Sequence, residues 1–349
     1  MPDTPDVTIL IASYIEPDLV DRIRDIDPRL DVVYEPGLLR PPRYAADHTG
    51  AAIERSAEDE RRWRGLLARA DVLFDFDQTH IDDLPDLAPR VRWIQATSAG
   101  IGERVAAWGY AERMPGTLFT TASGVHAGPL AEFCLLGMLA FTRELFTMVD
   151  QQRRRDWTRF AGTDLRGRTL VIYGHGSIGA EVARTARSFG MYVIGVRRSP
   201  GNVPAAELHA DEIVGADELA SVLPRAEFLV LAAPHTPETE GAVGRSELGL
   251  LPEGAVLINV GRGSLVDEPA LIDALATGRL GGAVLDVFAT EPLPADSPLW
   301  NLPNVLVSPH SAATSDRENA RIVELFCENL RRYLSDRPLL NVLDTARRY

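Results

Sequence analysis

The chain has 349 residues, 45% of them hydrophobic and 25% charged, with a formal net charge of −14. That length supports one or two domains with a sizeable core. The acidic balance argues against broad binding to nucleic acid or to an anionic membrane.

In chain order, the first part alternates short apolar strands with helical patterns. Residues 7–13, 31–35, 71–77 and 93–99 read as buried parallel strands, and 58–70 as an amphipathic helix between two of them. Residues 36–57 form a long loop rich in Pro, Arg and Gly; loops of that length are often functional. Residues 128–150 read as one long helix, apolar over most of its circumference and so buried against more than one partner. A polar arm, 151–160, follows it. A second series of strands then runs over 169–174, 192–197, 228–234, 255–260, 282–288 and 305–309, most of them separated by helical stretches. A last amphipathic helix covers about 315–335. This alternation predicts α/β architecture with doubly wound parallel sheets. No apolar run reaches membrane length and no basic-then-apolar leader opens the chain, so a cytoplasmic protein is expected. Cys134 and Cys327 lie in apolar helical patterns and read as core residues. No dense Cys/His/Asp cluster points to a metal. Every basic residue is arginine and none is lysine, which removes Schiff-base chemistry and the phosphate-loop lysine.

The stretch YGHGSIG places Gly174, Gly176 and Gly179 after a strand and at the start of a helix. The first glycine permits the tight turn, the second lets backbone approach a pyrophosphate, and the third allows helix and strand to pack closely. The helix N-terminus favours the negative charge. Strand, turn, helix and second strand occur in order, so a dinucleotide is the expected ligand. In the common form of this unit the second strand ends on an acid that holds the ribose hydroxyls of NAD. Here it ends on Arg197, Arg198 and Ser199.

Three further residues follow strands of the same series: Arg262 between Gly261 and Gly263, Glu291 after Asp286, and His310 after a proline. Ligands bind outside the carboxyl ends of such strands. Singly, each reads as an ordinary surface or structural residue. Together they form a set for carbonyl chemistry: an arginine fork for a carboxylate and a polarised carbonyl, and a histidine proton donor oriented by a carboxylate. The small neighbours of Arg262 leave its guanidinium room.

On these motifs, together with HTPETEGAVG, LLPEGAVLINVGRGSLVDEPALIDAL, GAVLDVFATEPLP, SPLWNLPNVLVSPH and ENLRRYL, the chain resembles the D-isomer-specific 2-hydroxyacid dehydrogenases. The resemblance spans nearly the whole chain. It implies a flavodoxin-like substrate domain, 1–120 with 313–349, and a Rossmann-type cofactor domain, 121–312, separated by a cleft. It makes Arg262, Glu291 and His310 the catalytic trio and Asp286 the anchor of the nicotinamide ring. Ser98, Ala99 and Gly100, with Arg262, would hold the substrate carboxylate. Ser177, Ile178, Ala233, Pro234, Thr239 and Val260 join the glycines as cofactor residues. The expected reaction moves hydride between a nicotinamide cofactor and C2 of a 2-keto or D-2-hydroxy acid such as glyoxylate or hydroxypyruvate. The family usually carries an acid where Arg197 stands, so NADP(H) is the expected cofactor, with NAD(H) still possible. The helix at 128–150 implies a homodimer. No metal is expected. An alternative keeps the fold as an NAD(P)-sensing scaffold or corepressor. Arg40, Arg43, Tyr44 and His48, in the long loop, read either as a solvated surface or as contacts to a larger or more acidic substrate.

Overall fold

The structure, a computed structural model, describes residues 7–201 and 203–347. Met1–Asp6, Asn202, Arg348 and Tyr349, the outer limits 1 and 349 of the expected substrate domain among them, lie outside the described residues. The chain divides into two compact units, one running to His126 and resuming at Thr314, the other Ala127–Ala313.

The first unit carries β1 (Val7–Ile11), β2 (Leu30–Val33), β3 (Val72–Phe74), β4 (Trp93–Gln95) and β5 (Leu118–Thr120). They form one sheet in the order β2-β1-β3-β4-β5, every pair parallel. Strands covered on both faces need apolar side chains on both, which is why these segments lack alternation. One face packs Leu10, Leu73 and Ile94 against Trp63, Leu66 and Leu67 of the helix Ala57–Arg69. The other packs Ile9, Phe74 and Trp93 against Ile322, Phe326 and Leu330 of the helix Glu318–Tyr333. The Phe326 ring stacks on Trp93 at 5.0 Å and meets Phe74 edge-on at 5.2 Å.

The second unit carries β6 (Thr169–Tyr173), β7 (Tyr192–Arg197), β8 (Glu212–Gly215), β9 (Phe228–Leu231), β10 (Val256–Asn259), β11 (Gly282–Leu285) and β12 (Val305–Val307). Their order is β12-β11-β10-β9-β6-β7-β8, again all parallel. The chain winds outward from β6 to β8, then returns to β9 on the other side of β6. The carboxyl ends of β6 and β9 therefore flank the point where winding reverses, the place where such sheets bind ligands.

Two details depart from the sequence reading. The short strands β5 and β8 were not expected. The long helix expected over 128–150 is two helices, Ala127–Thr142 and Leu145–Arg154. The break falls at Glu144, which adopts a left-handed φ of +57°. The Thr142 carbonyl there leaves the helix ladder and accepts the Thr163 N–H at 2.7 Å. Within this unit the first helix buries Leu130, Ala131, Cys134 and Met138 against the sheet. Gly137 makes that approach possible, since a Cβ there would lie 2.8 Å from Val284.

Candidate active site

The glycine turn sits at the winding reversal. Gly174 follows β6 with φ +100°, and a Cβ on it would stand 2.2 Å from the Ala233 nitrogen. Gly179 allows no side chain either, because a Cβ would come 2.4 Å from the Gly174 carbonyl oxygen. Packing therefore demands both of these glycines. Gly176 differs: a Cβ there would meet no protein atom within 4 Å. It stands exposed as the N-cap of the helix Ser177–Ser188, and no side chain caps that end. An open, uncapped helix N-terminus with bare backbone fits a pyrophosphate.

Around this turn lie the other expected cofactor residues. Ala233 and Val260 are buried at the ends of β9 and β10, while Ser177 is exposed and Ile178 partly exposed. The Thr239 hydroxyl donates to the Pro234 carbonyl at 2.8 Å and accepts the Thr236 N–H at 2.8 Å, closing the loop after β9. Arg197 ends β7 half-buried, and Arg198 and Ser199 are exposed beyond it. His175, to which the sequence reading assigned nothing, is buried inside the turn. Its Nε2 donates to the Leu208 carbonyl at 2.7 Å, and burial pushes the imidazole below its ordinary pKa. Its ring occupies the space above Gly195, where a Cβ would be 2.5 Å from Nδ1. The signal was a glycine in the middle of a strand, which often marks a close approach.

The trio occupies three adjacent strand ends of the same unit. Arg262 follows β10, Glu291 comes from the segment after β11, and His310 from the segment after β12. The His310 Nδ1 lies 2.7 Å from Glu291 Oε2, and the Phe288 N–H donates to Glu291 Oε1 at 3.0 Å. The carboxylate is thus held at both oxygens, by backbone on one side and imidazole on the other. The backbone of His310 is held as well. It adopts a left-handed φ of +53°, and its N–H donates to the Asp286 carbonyl at 2.9 Å. Buried Asp286 ties the same segment through its side chain. Its Oδ1 accepts the Ser308 hydroxyl at 2.6 Å and the N–H groups of Ser311 and Ala312 at 2.8 and 3.0 Å. Asp286 therefore has a structural task that the sequence did not disclose.

Half-buried Arg262 donates from Nη1 to the Gly261 carbonyl at 2.7 Å. Asn259 braces the turn, accepting the Gly261 N–H at 3.1 Å and donating to the Arg262 carbonyl at 2.9 Å. The flanking glycines also serve the neighbouring backbone, a demand the sequence did not disclose. A Cβ on Gly261 would be 2.8 Å from the Ala233 carbonyl oxygen, and one on Gly263 only 1.9 Å from the Phe288 backbone. Backbone cannot rotate aside as a side chain does. Gly263→Ala should therefore destabilise the protein by at least the upper part of the usual overpacking range of about 1–3 kcal/mol. Denaturant midpoints measure it, and an unchanged midpoint would show that the 286–291 segment yields freely.

Ser98, Ala99 and Gly100 belong to the other unit, in the loop after β4. Ser98 is fastened there by its carbonyl, which accepts the Ala122 N–H at 3.1 Å, and Gly100 is exposed. Among the described residues no group of three or more His, Cys, Asp or Glu is arranged to hold a metal, and no helix is long and apolar enough to cross a membrane.

A doubly wound parallel sheet with a bare glycine turn at its winding reversal defines a dinucleotide-binding domain. Comparison with known proteins narrows this. A family model described as "D-isomer specific 2-hydroxyacid dehydrogenase, NAD binding domain" matches residues 135–312. The glyoxylate reductase of Aeropyrum pernix is 34% identical over 271 residues, 75% of this chain and 79% of that one. The D-3-phosphoglycerate dehydrogenase of Methanocaldococcus jannaschii is 34% identical over 232 residues, 66% of this chain but only 43% of that one. The match thus spans less than half of that longer relative. A crystal structure of a D-isomer specific 2-hydroxyacid dehydrogenase from Xanthobacter autotrophicus Py2, in complex with NADPH and MES, superimposes with a TM-score of 0.77. It is 28% identical, and the match covers 98% of this chain and 99% of that one. The chain belongs to the D-isomer specific 2-hydroxyacid dehydrogenases.

Proposed function

We propose that this protein reduces a 2-keto acid to the 2-hydroxy acid, using NADPH. The observation that carries the reading is the His310–Glu291 pair at 2.7 Å, one strand end away from Arg262 and on the same sheet as the glycine turn. Bound nicotinamide supplies a hydride for C2. The chain's own residues do the rest. Arg262 offers two parallel donors to the substrate carboxylate and polarises the keto oxygen. The N–H groups of Ala99 and Gly100, with Ser98, are further donors for a substrate carboxylate. Glu291 accepts a hydrogen bond from the Nδ1–H of His310, which leaves the Nε2–H to deliver its proton to the oxygen. Glu291 also sits opposite the charge that the imidazolium carries before transfer.

On the cofactor side, backbone at Gly174, Gly176, Ser177, Ile178 and Gly179 cradles the pyrophosphate. Arg197, Arg198 and Ser199 take the 2′-phosphate, and Ala233, Pro234, Thr239 and Val260 line the rest. Asp286 anchors the nicotinamide end. In this reading Ala127–Ala313 forms the cofactor unit and the remainder the substrate unit. Glyoxylate reductase activity belongs by name to one relative, and NADPH is bound in the Xanthobacter structure; both agree with the assignment. The test is NADPH consumption, followed by its near-ultraviolet absorbance, across a panel of small 2-keto acids. Consumption is expected, and its absence across the panel would sink the proposal.

The reading extends to a two-fold homodimer. The helices Ala127–Thr142 and Leu145–Arg154 and the arm after them expose Leu136 (48%), Met148 (41%), Trp157 (96%) and Phe160 (43%). A tryptophan left almost wholly in water, on segments that expose further apolar side chains, points to a surface that another protein covers. Sedimentation equilibrium should give the mass of two chains at micromolar concentration. Paired Leu136→Arg and Trp157→Arg substitutions should halve it. A single-chain mass for the unaltered protein would overturn the dimer.

A further inference from the structure

The loop between β2 and the helix Ala57–Arg69 has no task in the proposed reaction, yet it is firmly built. Arg43 and Asp47 pair at 2.6 Å, and Asp47 also accepts the Gly50 N–H at 3.0 Å. Gly50 takes a left-handed φ of +66° directly against the Arg40 backbone. Arg43 and Tyr44 remain at the surface. Arg40 and His48 instead line a recess over the carboxyl ends of β1 and β3, together with Ser13, Arg55, Asp77 and Thr79. Its volume is about 10 Å³, room for one oxygen-sized group.

Most polar groups of this recess are already engaged. Arg55 donates to the Leu38 carbonyl at 2.6 and 2.8 Å and to the Thr79 hydroxyl at 2.9 Å. Asp77 accepts from the Trp63 indole and the Thr79 N–H, both at 2.9 Å, and shares 2.7 Å with His80. Two residues are left with capacity. Arg40 donates only to carbonyls, those of Ala51 at 3.0 Å and Gln78 at 3.4 Å, and has no carboxylate partner among the described residues. His48 shares 3.2 Å with the Ser13 hydroxyl through Nδ1, while its buried Nε2 has no hydrogen-bond partner among the described residues. Burial pushes this imidazole below its ordinary pKa, against the opposing pull of Asp75, Glu318 and Asp47 and with that of His126. A buried, unpartnered nitrogen carries a desolvation cost that a ligand oxygen removes.

We propose that Arg40 and His48 form an oxygen-binding subsite for the far end of the substrate, so that the preferred 2-keto acid carries a second carboxylate. The proposal rests on the reading that the 98–100 loop holds the first carboxylate. That loop follows β4, the neighbour of β3, and Thr97 at its start donates to Asp75 after β3 at 3.0 Å. One cation and one imidazole suit a single carboxylate oxygen better than a phosphate, which asks for more donors.

The experiment compares glyoxylate, which has no tail, 2-oxobutyrate, whose tail is apolar, and oxaloacetate. A charge-assisted hydrogen bond is equivalent to about ten- to a hundredfold, so kcat/KM for oxaloacetate should exceed the other two by that factor. His48→Leu and Arg40→Gln should remove the excess by raising KM for oxaloacetate, leaving glyoxylate within about twofold. His48→Gln should retain part of it. Equal kcat/KM values in the unaltered enzyme, or equal losses for tailed and tailless acids, would overturn the subsite. A second measurement does not depend on turnover. Calorimetric titration of the full chain should show malate binding more tightly than lactate, and His48→Leu should erase the difference. If no 2-keto acid consumes NADPH, the reductase assignment fails while this titration still decides the subsite. Malate binding indifferent to position 48 would mean that the recess holds a water only.

Discussion

His310→Gln should lower kcat by about 10²–10⁴-fold, the usual contribution of a positioned general acid. Glutamine keeps a hydrogen-bonding end of similar reach, but its amide cannot deliver a proton. NADPH affinity, read from quenching of its fluorescence, should change little, because His310 follows β12 whereas the glycine turn follows β6. The backbone bond from residue 310 to the Asp286 carbonyl survives the substitution, so the segment should keep its course. Arg262→Ala should behave differently, raising KM as well as lowering kcat, because it serves both carboxylate and carbonyl. An unaltered kcat in His310→Gln, where chemistry limits turnover, would remove His310 from the mechanism.

The unaltered enzyme should prefer NADPH to NADH by roughly ten- to several hundredfold in kcat/KM. Each charge-assisted hydrogen bond is worth about 1.5–3 kcal/mol, and about 1.4 kcal/mol is a factor of ten. Arg197→Asp should shrink or reverse that preference with little effect on the chemical step. A carboxylate at the end of β7 repels a 2′-phosphate and accepts from ribose hydroxyls. Arg197 is the better target than Arg198, because Arg198 lies within electrostatic reach of Glu238. The Glu238 carboxyl is held low first by the Thr236 hydroxyl and also by Arg198. Added salt should weaken NADPH binding more than NADH binding. Equal use of both cofactors, or NADPH binding indifferent to salt, would falsify the assignment of Arg197.

Much of this architecture was legible in the sequence because parallel strands buried on both faces appear as apolar runs. The 192–197 strand was read to the residue. Strands β5 and β8 escaped because each is short, lies at a sheet edge and includes polar or glycine residues. The break at Glu144 escaped because the contacts around it come from outside the helix. Gly162 presses on the Thr142 carbonyl so closely that a Cβ would stand 2.7 Å away, and no local pattern reports such a contact. The candidate site divides in the same way. Positions after strand ends located Arg262, Glu291 and His310. What steadies them, Asn259 under Arg262 and Ser308 on Asp286, comes from ordinary polar residues whose partners are set only by folding. The glycines beside Arg262 stood out in the sequence, but the backbone they pack against belongs to other strand ends and became visible only on folding.

Asp286 has a consequence for how such a protein wears out. Strand β12 is the outermost of its sheet and only partly covered. Edge strands are among the first segments to open when a fold fluctuates. The segment beyond β12 carries His310 in a backbone conformation that costs a non-glycine residue about 1–2 kcal/mol. Asp286, through its carboxylate and its own carbonyl, supplies four of the hydrogen bonds that hold that segment closed, beside the Glu291 contact to His310. Opening at this hem of the sheet would displace His310 while the core behind it stayed folded.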